Sequence, residues 1–175
     1  HPDRGTIKWD RELQRYLEKE VAKTFDERHI VQAQYRPFTT SWIYFDPHFN
    51  GMTYQLPSMF PLGERNQIIV FSDPFAQKPW MPIATDNLPD LHLVGAASAA
   101  TCTPRYRYVD GERLDNITDW GLDQFRTHYG DATISKDDIF AYVYAVLHDP
   151  IYRETYALNL RREFPRIPFY KPFDR

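Results

Sequence analysis

From Trp9 to Val21 the apolar positions Trp9, Leu13, Tyr16, Leu17 and Val21 recur at helical spacing with charged residues between them, and Asp10 stands where an N-cap belongs. That pattern predicts an amphipathic lead-in helix. A second short helix is expected from Asp26, another capping residue, and must stop before Pro37, which disfavours helix at Arg36. From Pro37 to Pro104 the pattern changes. Nine prolines separate short apolar runs at Trp42 to Phe45, Gln67 to Phe71, Leu91 to Val94 and Tyr106 to Val109. These read as short strands joined by irregular loops, with Asn50-Gly51 as the hairpin turn, because both residues tolerate positive φ.

After Gly111 helical spacing returns. Thr118 caps a segment with Leu122, Phe125 and Tyr129 on one face, and Gly130 closes it. Ser135 opens a second helix as a capping box before Ile139, Tyr142, Val143, Val146 and Leu147. Asp149-Pro150 starts a third, which ends near Glu163. Pro165, Pro168 and Pro172 make the remainder, Phe164 to Phe173, an exposed extended arm. Tyr142, Tyr144, Tyr152 and Tyr156 fall at helical spacing and read as helix-helix core. The expected fold class is α+β: a helical lead-in over 1–34, a loop-rich, small irregular mixed β-sheet within 35–110, and a C-terminal helical bundle with its arm over 111–175.

A chain of 175 residues, 42% hydrophobic and 16% aromatic, is about one domain long and has ample material for a core. The lone Cys102 excludes an internal disulfide, and no apolar run approaches the ~20 residues that span a bilayer. The expected setting is cytoplasmic, with no membrane partner. His1 to Thr6 lack an initiator methionine, a basic n-region and an apolar h-region, so they read as an internal starting point and not as a signal peptide.

The net charge of -3 argues against nucleic-acid binding through bulk positive charge. The charges are unevenly spread. Residues 109–149 hold three basic groups (Arg113, Arg126, Lys136) against nine acidic ones, whereas 150–175 hold six basic against three acidic. If DNA binds, the acidic segment should face away from it.

Chemistry is sparse. The seven glycines are scattered, with no GxxxxGK[ST] or GxGxxG loop to cradle a phosphate, and the histidines and single cysteine show no CxxC or HExxH spacing for zinc. Asp46-Pro47-His48 reads as a turn before it reads as an acid-base pair, and a stand-alone hydrolase built on it lacks a supporting constellation. His148-Asp149 reads as the junction of two helices. In Arg105-Tyr106-Arg107-Tyr108, strand alternation puts both arginines on one face. Such a face suits guanine edges and phosphates, or is simply solvated.

Several stretches resemble the C-terminal region of the Type I single-polypeptide (Type ISP) restriction-modification enzymes and related adenine-specific methyltransferases. They are Tyr35-Arg36-Pro37-Phe38-Thr39 followed by Trp42-Ile43-Tyr44-Phe45-Asp46, the short stretches Thr85-Asp86 and Pro89-Asp90-Leu91-His92, and the run from Ile134 to Pro168. The resemblance implies a target-recognition domain that follows a methyltransferase domain of the same polypeptide. It also implies a parent protein that uses S-adenosylmethionine, ATP and magnesium, with no cofactor on this part. The chain has neither an Asn-Pro-Pro-Tyr motif nor a Walker motif, so neither catalytic activity carries over to it. In the family the Tyr35 to Asp46 signature lies at the methyltransferase boundary, and its aromatics suit either that junction or DNA.

The expected function is therefore sequence-specific recognition of double-stranded DNA, without catalysis by this chain. Arg105 and Arg107 are the preferred base readers. Arg36, Thr39, Thr40, Arg65, Asn66 and Lys78 are loop or strand-end candidates, and Arg161, Arg162 and Arg166 suit backbone phosphates. The alternative is a scaffold that docks methyltransferase to motor through the aromatic arm and touches no bases.

Overall fold

In a computed structural model, which describes residues 9–74, 76, 78–95, 99–171 and 173, the chain opens as its pattern predicts. Helix α1 (Arg11–Glu18) is capped by Asp10, whose Oδ1 accepts from the Leu13 N–H at 2.8 Å. Its apolar stripe is only partly covered. Tyr16 stacks on the His48 ring at 4.3 Å, while Leu17 stays exposed.

The second expected helix needs correction. Asp26 caps only a single 3-10 turn, Glu27–His29, after which β1 (Ile30–Arg36) runs antiparallel to β2 (Thr39–Tyr44). Ile30 and Val31 are β-branched, and a partner strand supplies ladder bonds that a short helix with two open ends cannot match. Pro37-Phe38 forms the turn. Asn50-Gly51 is not a hairpin turn, because no strand follows it. Asn50 instead accepts from the Asp46 N–H at 2.8 Å within an irregular loop leading to α2 (Leu56–Met59).

Among the described residues the strands build three small sheets. In the first, β5 (Leu88–Pro89) joins β1 in parallel to give the order β2-β1-β5. In the second, β3 (Ile68–Ser72) lies between β4 (Pro82–Thr85) and β6 (Ala100–Pro104), both antiparallel to it. β3 is buried along its whole length, and its alternation divides the core. Ile69 and Phe71 meet Tyr142, Leu147 and Tyr152 of the helical bundle, whereas Ile68 and Val70 meet Leu93 and Val94. This two-sided burial is why the strand reads as an unbroken apolar run. Leu91 to Val94, expected as a strand, is a turn that drops two of its side chains into that second core. Burial, aided by the charge of Asp73, pushes the Cys102 thiol on β6 up to about 11, so it behaves as a small core residue.

The third sheet was expected only in half. β7 (Tyr106–Val109) continues through Asp110-Gly111 into β8 (Glu112–Asp115), where helical text was expected. Asp110 and Gly111 have φ of 52° and 83°, the positive values a two-residue hairpin demands.

The helical region follows its punctuation. α3 (Asp119–Tyr129) is capped by Thr118 and closed by left-handed Gly130, and α4 (Lys136–His148) carries the reciprocal Ser135/Asp138 capping box. Ser135→Ala should lower stability by about 1 kcal/mol in urea titration. The third helix is capped by Asp149 but breaks at Tyr156 into α5 (Pro150–Thr155) and α6 (Ala157–Leu160). Tyr142 and Tyr152 are core as expected, Tyr144 is half-buried and Tyr156 is exposed.

The arm does not project. Tyr142 Oη donates to the Pro168 carbonyl and accepts from the Tyr170 N–H, both at 2.7 Å, while Tyr129 Oη donates to the Tyr170 carbonyl at 2.6 Å. Tyr152 Oη donates to the Arg166 carbonyl at 3.0 Å. Three helix tyrosines thus pin a segment whose prolines leave its carbonyls without regular partners. Among the described residues, no helix is long and apolar enough to cross a membrane.

Candidate nucleic-acid interface

The structure separates the two preferred arginines. Arg105 lies in the bend between β6 and β7, is 4% exposed, and directs Nε to Asp137 and Nη1 to Asp115, each at 2.6 Å. Burial opposes its charge, but the two carboxylates more than offset that and raise its pKa. Lys136 extends the network to Asp115 at 3.1 Å and Asp119 at 2.7 Å. The expectation of Arg105 as a base reader does not fit this placement: it is buried, and its Nε and Nη1 join the β6–β7 bend to β8 and α4. Arg107, one step into β7, is exposed. The network also engages Asp115, Asp119 and Asp137 of the acidic segment.

Asn66 is likewise structural. It is buried, donates to the Met59 and Tyr106 carbonyls at 2.9 and 2.7 Å, and accepts from the Gln67 and Tyr106 N–H groups. Its amide is satisfied on both sides, which leaves nothing for a base edge. The neighbouring Arg65 side chain is exposed on the rim of a cleft of about 740 Å³ between the β1–β2 hairpin and the loop after α2. Trp42, 70% exposed, and Arg28 line the same cleft, although neither was among the sequence candidates. Arg28 is bound by Asp26, with Nη2 to Oδ2 at 2.6 Å.

Arg36, Thr39 and Thr40 come together at the hairpin end. Arg36 stacks over the Tyr35 ring at 4.0 Å and pairs with Asp90 at 2.8 Å, and both threonines are exposed. Phe38, at the turn itself, is fully exposed. It belongs to the Tyr35 to Asp46 signature, whose aromatics suit the junction or DNA, but reading β1 as a helix hides the hairpin turn that presents it; the paired runs flanking Pro37-Phe38 carry that signal.

Lys78 sits apart and exposed between β3 and β4, and Arg161, Arg162 and Arg166 lie exposed beyond α6. Arg166 pairs with Glu163 at 3.0 Å. Asp46 and His48 do not form an acid-base pair. Asp46 is 1% exposed; its Oδ1 accepts from the His48 N–H at 2.8 Å. Its Oδ2 is compensated by the Lys23 ammonium at 2.9 Å rather than by a well-directed hydrogen bond. The His48 ring turns away to stack on Tyr16.

The sequence model of the Type ISP C-terminal specificity domain matches residues 1–175. A search of curated proteins returns no match. Among solved structures, the chain is similar to part of a cryo-EM structure of a DrdV–DNA complex, at 49% identity and a TM-score of 0.87 over 97% of this chain. It is also similar to a nuclease-deletion mutant of the Type ISP enzyme LlaGI in complex with a DNA substrate mimic, at 30% identity and a TM-score of 0.74 over 94% of this chain. ATP-dependent LlaBIII bound to DNA gives 25% identity and a TM-score of 0.76 over 93%. The chain spans 17%, 14% and 11% of those three proteins. With a match over its full length and a shared fold, this chain belongs to the family of Type ISP C-terminal specificity domains.

Proposed function

We propose that this domain reads the base sequence of duplex DNA and directs the methyltransferase and nuclease of a restriction-modification enzyme to it. The observation that carries this reading is the match of the whole chain to a specificity domain whose fold recurs, at 49% identity, within a DNA complex. Arg107 on β7 and Arg65 on the cleft rim are the base-edge candidates, and the Arg36, Thr39 and Thr40 cluster at the hairpin end suits the backbone beside them. Lys78, Arg161, Arg162 and Arg166, all exposed, suit phosphates. Arg105 and Asn66 act as positioning residues that hold the β6–β7 bend. Phe25, Trp42 and Phe49 line one open apolar groove and are each exposed, which suits docking on the methyltransferase domain of the same polypeptide. S-adenosylmethionine, ATP and magnesium would be held by domains outside this chain. The scaffold alternative drew on a free aromatic arm, and that arm is occupied by its own helices.

The test is a selection of random duplexes by the full-length protein, repeated with residues 1–175 exchanged for the matching region of a relative. The selected sequence should follow the exchanged region. Selection that ignores the exchange would sink the proposal. Within the domain, Arg107→Ala should relax preference at one base pair by about 1 to 3 kcal/mol. Arg162→Ala should weaken all sequences alike and lower the salt slope by about one.

A further inference from the structure

The end of the β1–β2 hairpin is stiffened from three sides. Gln34, buried beneath the turn, donates through Nε2 to the Arg36 carbonyl at 2.9 Å and to the Pro37 carbonyl at 3.4 Å. Its backbone carbonyl accepts from the Asp90 N–H at 3.0 Å, and Asp90 in turn holds the Arg36 guanidinium that lies over Tyr35. Pro37 fixes its own φ, and the ladder slips between Gln34 and Arg36, where the bulge absorbs the twist of a turn that is not of the primed kind.

On this braced end stands Phe38, with 100% of its surface exposed. An exposed aromatic ring on a mobile loop would be unremarkable, since single apolar residues on surfaces are common. Here the backbone beneath it is fixed by a buried amide, an ion pair and a proline, so the ring is carried on a braced main chain at the tip of the hairpin. It also stands clear of the apolar face assigned to domain docking. Phe25 stacks on Tyr44 and Phe49 meets it edge-on at the opposite end of the hairpin, about 20 Å away by strand length, and Trp42 lies about 13 Å along β2. Beside the ring lie the exposed hydroxyls of Thr39 and Thr40, and the Arg36 guanidinium, whose Nη1 is on Asp90, keeps part of its surface open; these suit the phosphates on either side of a base step.

We infer that Phe38 is a wedge that enters a base-pair step of the bound duplex, unstacking it while Arg36, Thr39 and Thr40 hold the flanking backbone. The inference rests on the DNA-reading function proposed above. A phenyl ring between bases loses its contact with water and recovers the stacking that the opened step forfeits. A step that unstacks readily is favoured, so the wedge adds sequence preference without a base-edge hydrogen bond. Rigidity matters because a floppy tip would lose, on ordering, part of what stacking contributes.

The experiment uses the full-length protein and a duplex chosen by selection from a random pool, with the fluorescent base aminopurine placed at one position at a time. Wild type should brighten the probe at one step, where the base leaves its stack. Phe38→Ala should abolish the brightening and weaken binding by about tenfold to a hundredfold, with thermal stability unchanged because the ring packs on nothing. Phe38→Trp should restore both. A duplex already opened at that step by deletion of one base should recover most of the affinity lost by Phe38→Ala. Failure of wild type to select any duplex overturns the DNA-reading function itself. Selection without brightening, or equal brightening and affinity in Phe38→Ala, overturns the wedge alone. Equal loss of affinity for intact and pre-opened duplexes, together with lowered stability, would mean that Phe38 seats against another part of the protein, and it also overturns the wedge.

Discussion

Removing both carboxylates in Asp115→Ala/Asp137→Ala should lower the unfolding free energy by about 3 to 5 kcal/mol, because a guanidinium left 4% exposed then has no counter-charge. Arg105→Met keeps the aliphatic volume and discards the charge, and Asp115 and Asp137, 37% and 73% exposed, can hydrate once it is gone, so it should fall within about 1 kcal/mol of wild type. The contrast separates a desolvated charge from a packing effect. Both numbers come from urea titration followed by circular dichroism. A double variant as stable as wild type would show that water reaches Arg105 and would return it to the candidates for DNA contact.

The same network carries a pH dependence. Hydrogen bonding from Arg105 outweighs the opposing effect of burial, Lys136 adds to it, and Asp115 titrates below the usual carboxylate range. With the folded pKa below the unfolded one, its stabilising contribution is complete above about pH 4 and disappears as pH falls through the folded value. Asp115→Asn should therefore flatten the acid limb of the stability curve.

Arg105 also marks where sequence reading ends. Its partners lie 10 and 32 residues further along the chain, on β8 and at the start of α4, and nothing local distinguishes it from the exposed Arg107 two residues away. Helix punctuation, by contrast, is local chemistry. Thr118, Gly130, Ser135 and Asp149 cap or close helices where their types and spacing predict. The Asp110-Gly111 hairpin was equally local, and was passed over because β8 (Glu112–Asp115) is exposed throughout and carries no apolar alternation. The lead-in fails differently. Asp26 does cap a turn, but Ile30 to Arg36 prefers pairing with Thr39–Tyr44, a partner visible only once Pro37-Phe38 is taken as a turn. That one misreading hid the hairpin end on which Phe38 stands.

The arm gives the second large effect, and it can be divided between ring and hydroxyl. Tyr142 is 5% exposed and packs edge-on to Phe125 at 5.5 Å and against Phe173 at 5.1 Å. Tyr142→Ala should cost about 3 to 5 kcal/mol, the range for deleting a buried aromatic ring. Tyr142→Phe keeps the ring but leaves the Tyr170 N–H without its acceptor and the Pro168 carbonyl without its donor, for about 1 to 3 kcal/mol. The losses should differ in where they act. The alanine variant opens the core shared with Ile69 and Phe71, so hydrogen exchange should accelerate in α4 and β3 together. In the phenylalanine variant exchange should quicken chiefly at Tyr170, and trypsin should cut sooner after the exposed Arg166, because the arm lifts while the bundle stays closed. If Tyr142→Phe matched wild type in stability, exchange and cleavage, the hydroxyl would not be what holds the arm, and an aromatic segment free to dock elsewhere would again be a reasonable reading of Phe164 to Phe173.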